Sequence, residues 1–323
     1  MRKATKVGLV TATSFVLIGC ILFVGVMTVL KWDFTKLQTV KFETNEYTVK
    51  EVYQNLSIVT DTADIAILPS QNVTHRVVCY EQQKVKHAVS VEDGTLKIEV
   101  QDTRKWYEYI GIVCETPTIT VHIPAGEYGA LSITSGTGNI EISKDFTFQC
   151  VDVAESTGNV AVRASALDEM RIRTTTGNIC LENASVGSLD LSVTTGKIAV
   201  SHVTCKRDAN VAVSTGKTSV TDMQCQNLIS SGSTGSISLN AVIAAETFTI
   251  QRSTGNVHFE GADAAEIFVQ TDTGDVEGNL LTDKIFLVET DTGRVDVPKS
   301  VTGGKCEIHT DTGNIILKTA ERG

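Results

Sequence analysis

The decapeptide VAESTGNVAV, residues Val153 to Val162, has a Thr-Gly centre that returns along most of the chain. Related stretches are TTTGNICL, SVTTGKIAV and HTDTGNIIL. The ten central glycines are 19 or 20 residues apart, and a threonine precedes each of them. A fixed period of this length is the signature of a repeat architecture. The ten glycines are Gly138, Gly158, Gly177, Gly196, Gly216, Gly235, Gly255, Gly274, Gly293 and Gly313.

Apolar and polar residues alternate on both sides of every Thr-Gly pair. Counted from each glycine, positions −7, −5, +2 and +4 are apolar in 37 of 40 cases. This period of two predicts short β-strands with one buried and one exposed face. Glycine supplies the positive φ that a tight turn between such strands requires.

Two architectures fit this local pattern. Each Thr-Gly pair could close an independent hairpin in an antiparallel meander. Alternatively, each repeat is one coil of a β-solenoid, in which equivalent residues stack on one another. A meander has no reason to repeat one turn at one spacing, whereas a coil buries its apolar face only by matching its neighbours. We therefore predict an all-β fold, a β-solenoid of 19–20-residue coils with Thr-Gly corners.

The N-terminus is typical of a single-pass membrane helix. Residues 1–6 are basic, and residues 7–30 then contain no charge. At about 1.5 Å per residue, this run is long enough for the roughly 30 Å hydrocarbon core. Lys31 and Trp32 follow it, and Trp is enriched at membrane interfaces. The charges predict that the N-terminus lies on the cytoplasmic side of the cell membrane and the remaining chain on the outer side.

A lipoprotein anchor is the alternative. The stretch LIGC, which ends at Cys20, resembles a bacterial lipoprotein cleavage box. Apolar sequence continues for ten residues beyond it, which favours the transmembrane helix.

The expected organisation has five parts. Residues 1–6 form a cytoplasmic basic tail, 7–30 a transmembrane signal-anchor helix and 31–41 a stalk. Residues 42–130 form irregular N-terminal coils that cap the rod, and 131–323 form the regular repeats. The sequence stops just after a predicted strand, so unpaired backbone groups of the C-terminal coil offer a site for self-association.

Composition limits the partners. The net charge of −10 and the pI near 5.1 argue against nucleic acid as a main partner. One aromatic cluster, RKWYEYIGIVC, lies outside the apolar run. Its Trp106, Tyr107 and Tyr109 form a plug of the cap, a partly buried loop or a binding patch, since exposed Tyr and Trp are common at interfaces.

The cysteines raise the question of disulfides. Cys205 and Cys225 both lie nine residues after a turn glycine, so they should stack on adjacent coils as a disulfide or as neighbouring thiols. Cys79 and Cys114 flank the irregular part, and a disulfide between them could crosslink the cap. Cys306 falls in a predicted buried column, where a cysteine is an inert hydrophobic residue.

Motifs for catalysis are missing from the sequence. The six histidines are scattered, and HExxH, GxSxG, Walker and CxxC motifs do not occur. We expect no enzymatic activity and no cofactor. Asp272, Asp291 and Asp311 share one position in the last three repeats, with Asp275 beside the first. A hydrated acidic edge is favoured there over a Ca²⁺ site, because the spacing does not match the calcium-binding nonapeptide repeat.

The SGTGNIEI corner and the upstream DGTLKIEV and TVHIP stretches resemble the bacterial β-strand-repeat family DUF4097, whose members are labelled candidate adhesins. The resemblance covers about residues 42–317. It implies a tethered or secreted β-solenoid and supplies no catalytic residues.

Three functions follow as hypotheses. The first is a membrane-anchored extracellular, adhesin-like binding or scaffold module at the cell envelope, whose partner is an envelope protein, a host protein or a surface polymer. The alternative is an accessory sensor of an envelope-stress signalling system. A polysaccharide-cleaving β-helix enzyme is disfavoured, because repeats that vary by one residue leave no room for the long loops of a catalytic cleft.

Overall fold

The computed structural model describes residues 3–72, 74–109 and 111–319. The first two residues of the predicted basic tail and the last four residues of the chain lie outside these ranges. The described residues form one α-helix, two short 3-10 helices and twenty strands that belong to a single continuous sheet.

The elements have the following bounds: α1 Lys3–Val29, 3-10 helices Phe34–Leu37 and Trp106–Tyr109, β1 Phe42–Val49, β2 Asn55–Thr62, β3 Asp64–Pro69, β4 His75–Gln82, β5 Val85–Glu92, β6 Thr95–Asp102, β7 Thr118–Ile123, β8 Gly126–Thr137, β9 Ile140–Ile142, β10 Phe146–Thr157, β11 Val160–Val162, β12 Ser165–Cys205, β13 Asp208–Thr234, β14 Ile237–Thr254, β15 Val257–Thr273, β16 Val276–Leu280, β17 Lys284–Thr292, β18 Val295–Asp296, β19 Gly304–Thr312 and β20 Ile315–Thr319.

The repeats stack as parallel coils in register, which confirms the predicted β-solenoid. Val153 pairs with Ile133 of the preceding coil and with Ile172 of the following one. Long strands such as β12 run through the corners, so hydrogen bonding between coils continues around each turn. The positions predicted to be apolar and inward are buried in most coils, whereas in the coil of Gly293 Phe286 and Val288 are half-buried and Val295 is exposed. At position −7, eight consecutive residues are at most 1% exposed: Leu131, Val151, Met170, Leu189, Ala209, Leu228, Phe248 and Ile267.

Close backbone stacking explains the glycine at each Thr-Gly corner. A Cβ atom added to Gly158 would overlap the carbonyl oxygen of Gly138 in the neighbouring coil, and an equivalent overlap occurs at all ten corners. Eight of the ten glycines also have φ between +129° and +156°. Gly274 and Gly293 do not belong to this positive-φ group. The absence of a side chain is therefore the requirement that all ten corners share, and the positive φ predicted for the turn applies to eight of them.

A second corner lies six residues after the glycine in five consecutive coils. Its residues are Asn183, His202, Asp222, Ala241 and Gly261, with φ between +50° and +60°. Asn, Asp and Gly are among the residues that accept this left-handed conformation most readily. Because the residue type changes from coil to coil, the repeat pattern did not indicate this corner.

The N-terminal end combines one further coil with an antiparallel cap. β2 and β3 stack on β8 and β9, with Ala63 in the place of the corner glycine. β6 and β7 continue the parallel stack on the other side. In contrast to the predicted run of irregular coils, β1, β4 and β5 pair only antiparallel. These strands cover the end of the rod, where a coil would expose unpaired backbone groups.

The last two coils stack in reverse chain order. β19 pairs in parallel with β15 on one side and with β17 on the other, and β20 lies likewise between β16 and β18. The Gly274 N–H accordingly donates to the Thr312 carbonyl, at 2.9 Å. The C-terminal coil therefore has both edges paired, so the prediction that it offers a free edge is wrong. Among the described residues, β17 and β18 are each paired on one side only and form the open edge of the rod.

After β16 the chain skips one level of the stack, forms β17 and β18, and then returns to the skipped level with β19 and β20. Local contacts stabilise this crossing. Lys284 and Asp263, both buried, form an ion pair at 2.7 Å. On the return path, Cβ atoms at Gly303 and Gly304 would overlap the carbonyl oxygens of Asp283 and Ala265. The Gly-Gly pair thus lets the backbone enter between two levels of the stack.

Helix α1 is apolar on all sides. Among the described residues it is the one helix long and apolar enough to cross a membrane, over Lys6–Val29 with a mean hydropathy of 2.5. Apart from Met27, whose side chain is buried, the described side chains of Lys6–Val29 are exposed, so α1 is not a core helix. Its length and composition are shared by membrane anchors and signal sequences. The predicted stalk, residues 31–41, contains the 3-10 helix Phe34–Leu37.

The corner explanation can be tested with two alanine variants. Gly158 and Gly126 have nearly equal φ, +156° and +157°, but only Gly158 stacks against a neighbouring carbonyl, whereas Gly126 faces open space. We expect Gly158→Ala to lower the free energy of unfolding by about 3 kcal/mol, because overlap adds to strain. Gly126→Ala should cost about 1 kcal/mol from strain alone. Urea unfolding measures both, and equal losses would contradict the stacking explanation.

The reversed order of the last coils predicts specific crosslinks. Phe268 pairs with Glu307, which pairs in turn with Leu287. Neighbouring strands are about 4.8 Å apart, within the Cα range of a disulfide, while two levels span about 9.6 Å. We expect the F268C/E307C variant to form a disulfide on oxidation and F268C/L287C to form none, as read by peptide mass spectrometry. The opposite result would show that the coils stack in chain order.

Candidate functional site

The predicted aromatic patch lies on the loop between β6 and β7, residues 103–109 and 111–117, here called the aromatic loop. Trp106, Tyr107 and Tyr109 sit on its 3-10 helix and are 80%, 50% and 57% exposed. Ile112 and Val113 add exposed apolar surface beside them. These side chains therefore do not plug the cap, and a binding role for this exposed surface stays a prediction.

Polar contacts hold the aromatic loop in shape. Arg104 donates to both oxygens of Asp102, at 2.9 and 3.0 Å from Nε, and its guanidinium lies over the ring of Tyr109. The Tyr109 hydroxyl also donates to Asp102. The hydrogen bonds from Arg104 lower the pKa of the Asp102 carboxyl to about 2. Glu108 pairs with Lys84 of the neighbouring hairpin, so both ends of the short helix are fixed.

The aromatic loop also contacts the segment that follows α1. The Thr39 N–H donates to the Ile112 carbonyl at 3.1 Å, and the Ile112 N–H donates to Thr39 Oγ1 at 3.0 Å. The Cys114 thiol lies 3.4 Å from the Phe34 carbonyl oxygen. The loop is thus attached to the chain next to the end of the apolar helix.

A buried polar cluster inside the cap was missed by the sequence analysis. Cys79, Glu81 and His87 have ligand atoms within 4.8 Å of one another, and Glu81 accepts hydrogen bonds of 2.7 Å from His87 N, His87 Nδ1 and Asn45. His87 Nε2 lies 2.9 Å from the Thr60 hydroxyl. Burial raises the pKa of Cys79 to about 12, which disfavours the thiolate that a metal would need. The cluster is a satisfied network that joins cap strands to the first coil.

A polar groove crosses the outer face of several consecutive coils in the middle of the rod. Its volume is about 450 Å³. Side chains at positions −4 and −2 from successive corner glycines line it, mostly hydroxyls and amides: Ser214, Ser231, Ser233, Gln251, Ser253, Gln270 and Asp272. Because the coils are in register, these groups repeat at the spacing of the stack, about 4.8 Å. We call this surface the polar groove.

A buried column at position −3 lies just inside this face and also escaped prediction. It holds Thr174, Val193, Val213, Gly232, Arg252 and Thr271 in successive coils. Continuing the alternation from −7 and −5 toward the glycine would have revealed it. Arg252 is only 3% exposed, and it occupies the space that a side chain at Gly232 would fill.

The buried Arg252 is incompletely satisfied. Its Nη2 donates to Ser230 at 2.8 Å and to Thr218 at 3.1 Å. Ser230 and Thr218 are two of the three exceptions among the 40 apolar positions, so two of these three departures from the repeat meet at one guanidinium. Nε and Nη1 have no partner among the described residues, and burial lowers the pKa of the group below its ordinary value.

The other predicted site residues are separate from these surfaces. Cys205 and Cys225 are buried free thiols on adjacent coils, so the structure has the neighbouring thiols rather than the disulfide. Cys79 and Cys114 are not joined. Cys306 is buried as predicted, and burial raises its pKa to about 12.

Among the described residues, the carboxylates of the acidic column do not form a cluster of three or more ligand atoms within 4.8 Å of one another. Asp311 now lies between Asp272 and Asp291, since the last coils are reversed, and His309 Nε2 is 3.2 Å from its Oδ1. Asp275 accepts hydrogen bonds of 2.7 and 3.1 Å from the backbone and side chain of Asn314. It belongs to a ladder of Asn and Asp side chains beside the corners and is not free for calcium.

Sequence comparison identifies the family. A family model described as Toastrack DUF4097 matches residues 53–216, just over half of the chain. The chain belongs to this family. The Toastrack match begins just before β2 and ends at a corner glycine within β13, and the coils beyond it continue the same parallel register. No curated protein sequence matches the chain.

Several crystal structures are similar in outline. One from Parabacteroides distasonis ATCC 8503, named as a candidate lipid binding protein, is 16% identical, covers 88% of this chain and 98% of its own, and has a TM-score of 0.46. Candidate adhesins from Bacteroides fragilis NCTC 9343 and Parabacteroides merdae ATCC 43184 are 16% and 10% identical. They cover 86% and 87% of this chain and 97% of their own, each with a TM-score of 0.43. At such scores these similarities carry no argument about function.

The Arg252 cluster predicts a stabilising substitution. Replacing an unpaired buried charge by an apolar side chain of similar length removes its desolvation cost. We expect Arg252→Met to raise the free energy of unfolding by about 1 kcal/mol. Gln251→Met, on the exposed side of the same strand, should leave it unchanged. A loss of stability in Arg252→Met, measured by urea unfolding, would mean that the guanidinium contributes a net favourable interaction.

Proposed function

We propose that the protein is a membrane-anchored, non-enzymatic binding module on the outside of the cell membrane. The supporting observation is the parallel register of the coils, which turns the outer face into ordered columns of polar side chains on a rigid rod. Rigid repeat surfaces of this kind are suited to binding extended partners.

The direction of the rod supports a surface role. α1 precedes the cap, so an anchor in α1 places the cap near the membrane and the open edge of β17 and β18 far from it. The basic residues before the apolar run favour an inside N-terminus. The coils and the polar groove would then face the envelope or the surroundings of the cell.

The polar groove is the binding surface that we propose. Its hydroxyls and amides suit a partner rich in hydrogen-bonding groups, either the backbone of an envelope or host protein or a surface polymer. One acidic residue, Asp272, is among its lining residues. Glycoside hydrolysis generally uses a pair of carboxylates, so this composition supports binding rather than cleavage.

Photo-crosslinking in intact cells tests this proposal. A probe at Gln251 lies in the polar groove, and a probe at Ala154 occupies the same −4 position five coils away. We expect a discrete partner to be captured at Gln251 and not at Ala154. Equal capture at both positions, or capture at neither, would contradict the groove as binding surface. A third probe at Leu287 on the open edge reports self-association separately.

A further inference from the structure

We infer that the aromatic loop binds the lipid–water interface of the bilayer that α1 spans, and so fixes the cap end of the rod against the membrane. The inference rests on the proposed membrane anchor. It gives the exposed aromatic side chains a lipid partner rather than a protein partner.

Proximity is the first argument. Phe34, which contacts Cys114 of the aromatic loop, is four residues beyond Leu30, the last residue of the uncharged run. Four residues span at most about 14 Å. The chain is shorter here, because the Lys31 and Asp33 amides donate back to Thr28 and Leu30. The loop is therefore held close to the point where the chain leaves the hydrocarbon, next to a polar interfacial layer about 5–8 Å thick on each side.

The chemistry of the exposed side chains is the second argument. Both tryptophans of the protein are at this end, with Trp32 54% and Trp106 80% exposed. Trp and Tyr concentrate at membrane interfaces because an apolar ring carries a polar group at its edge. Phe34 and Val113 enlarge the same apolar surface, at 53% and 44% exposure. In water the apolar surfaces of these rings would stay hydrated. At the membrane interface the apolar surfaces leave water, while the indole N–H and phenol O–H groups keep hydrogen-bond partners.

Charge is the third argument. The acidic side chains of the aromatic loop and its tether are largely neutralised: Asp102 by Arg104, Glu108 by Lys84 and Asp33 by Lys36. Glu115 remains as an exposed acidic group.

Basic side chains complete this surface. Lys31 and Lys105 are exposed and form no ion pair within the part of the chain that the structure describes. Free lysines beside aromatic rings are suited to lipid phosphates, and each contributes about 1 kcal/mol near an anionic surface. The rest of the protein is acidic, with a net charge of −10, so this basic and aromatic surface is local.

Tryptophan fluorescence in liposomes tests the inference, because the two tryptophans can be observed one at a time. The full chain is reconstituted in phosphatidylcholine and phosphatidylglycerol vesicles that contain acyl-brominated lipid. Trp32→Phe leaves Trp106 as the reporter of the aromatic loop, and Trp106→Phe leaves Trp32 as the reporter of the anchor. We expect each single tryptophan to lose fluorescence relative to vesicles without bromine, because an indole at the interface lies close to the lipid acyl chains.

The outcomes separate the inference from the anchor on which it rests. Quenching of Trp32 but not of Trp106 would support the membrane anchor and overturn binding of the loop to lipid. The aromatic patch would then be a candidate surface for a protein partner. Quenching of neither overturns the anchor as well.

Charged substitutions in the aromatic loop test whether the quenching of Trp106 requires binding of the loop to lipid. In the Trp32→Phe background, Tyr107→Glu with Val113→Glu should abolish the quenching of Trp106, since carboxylates are unfavourable in the interface. Leu167→Glu, at an equally exposed apolar side chain on the rod, should leave it unchanged. Equal quenching in the two charge variants would also overturn the inference.

Discussion

The close approach of backbone to backbone at the Thr-Gly corners is the constraint on which the structure depends. At six of the ten corners the glycine amide donates to the carbonyl of the threonine in the next level, as Gly158 does to Thr176 at 2.9 Å. No Cβ fits in that contact. This contact fixes the spacing between neighbouring levels at the corner. The strands on either side of the corner therefore stack in register, and their alternating side chains form continuous columns. The buried core and the polar groove both follow from this one contact.

A uniform contact between levels also makes the order of the coils interchangeable. Every Thr-Gly corner presents the same surface above and below, so the last coil can enter between its two predecessors without loss of pairing. Specific contacts then select this order, namely the Lys284–Asp263 ion pair and the backbone clearance at Gly303 and Gly304. The two ends of the rod consequently differ. The cap end is covered by antiparallel strands, and at the other end β17 pairs on one side only within the part of the chain that the structure describes.

Because the coils repeat one pattern, residues that depart from the pattern identify places with a special structure. Thr218 and Ser230 interrupt apolar columns, Gly232 removes a side chain, and Arg252 fills the space that results. A buried guanidinium whose Nε and Nη1 have no partner among the described residues is costly, so its presence behind the polar groove indicates a requirement other than stability. The aromatic loop is a departure of another kind, because it lies outside the repeats and carries the exposed rings that we assign to the membrane interface.

The sequence by itself determined the fold class, the coil length, the corner positions and the apolar helix, because each is encoded in a local period or composition. It also located Trp106, Tyr107 and Tyr109. Only the tertiary structure decided the coil order, the antiparallel cap and the convergence on Arg252. Equal spacings of 19 and 20 residues carry no information about which coil touches which. Contacts such as Arg252 with Thr218 join residues 34 positions apart, and only the stacking of levels brings them together.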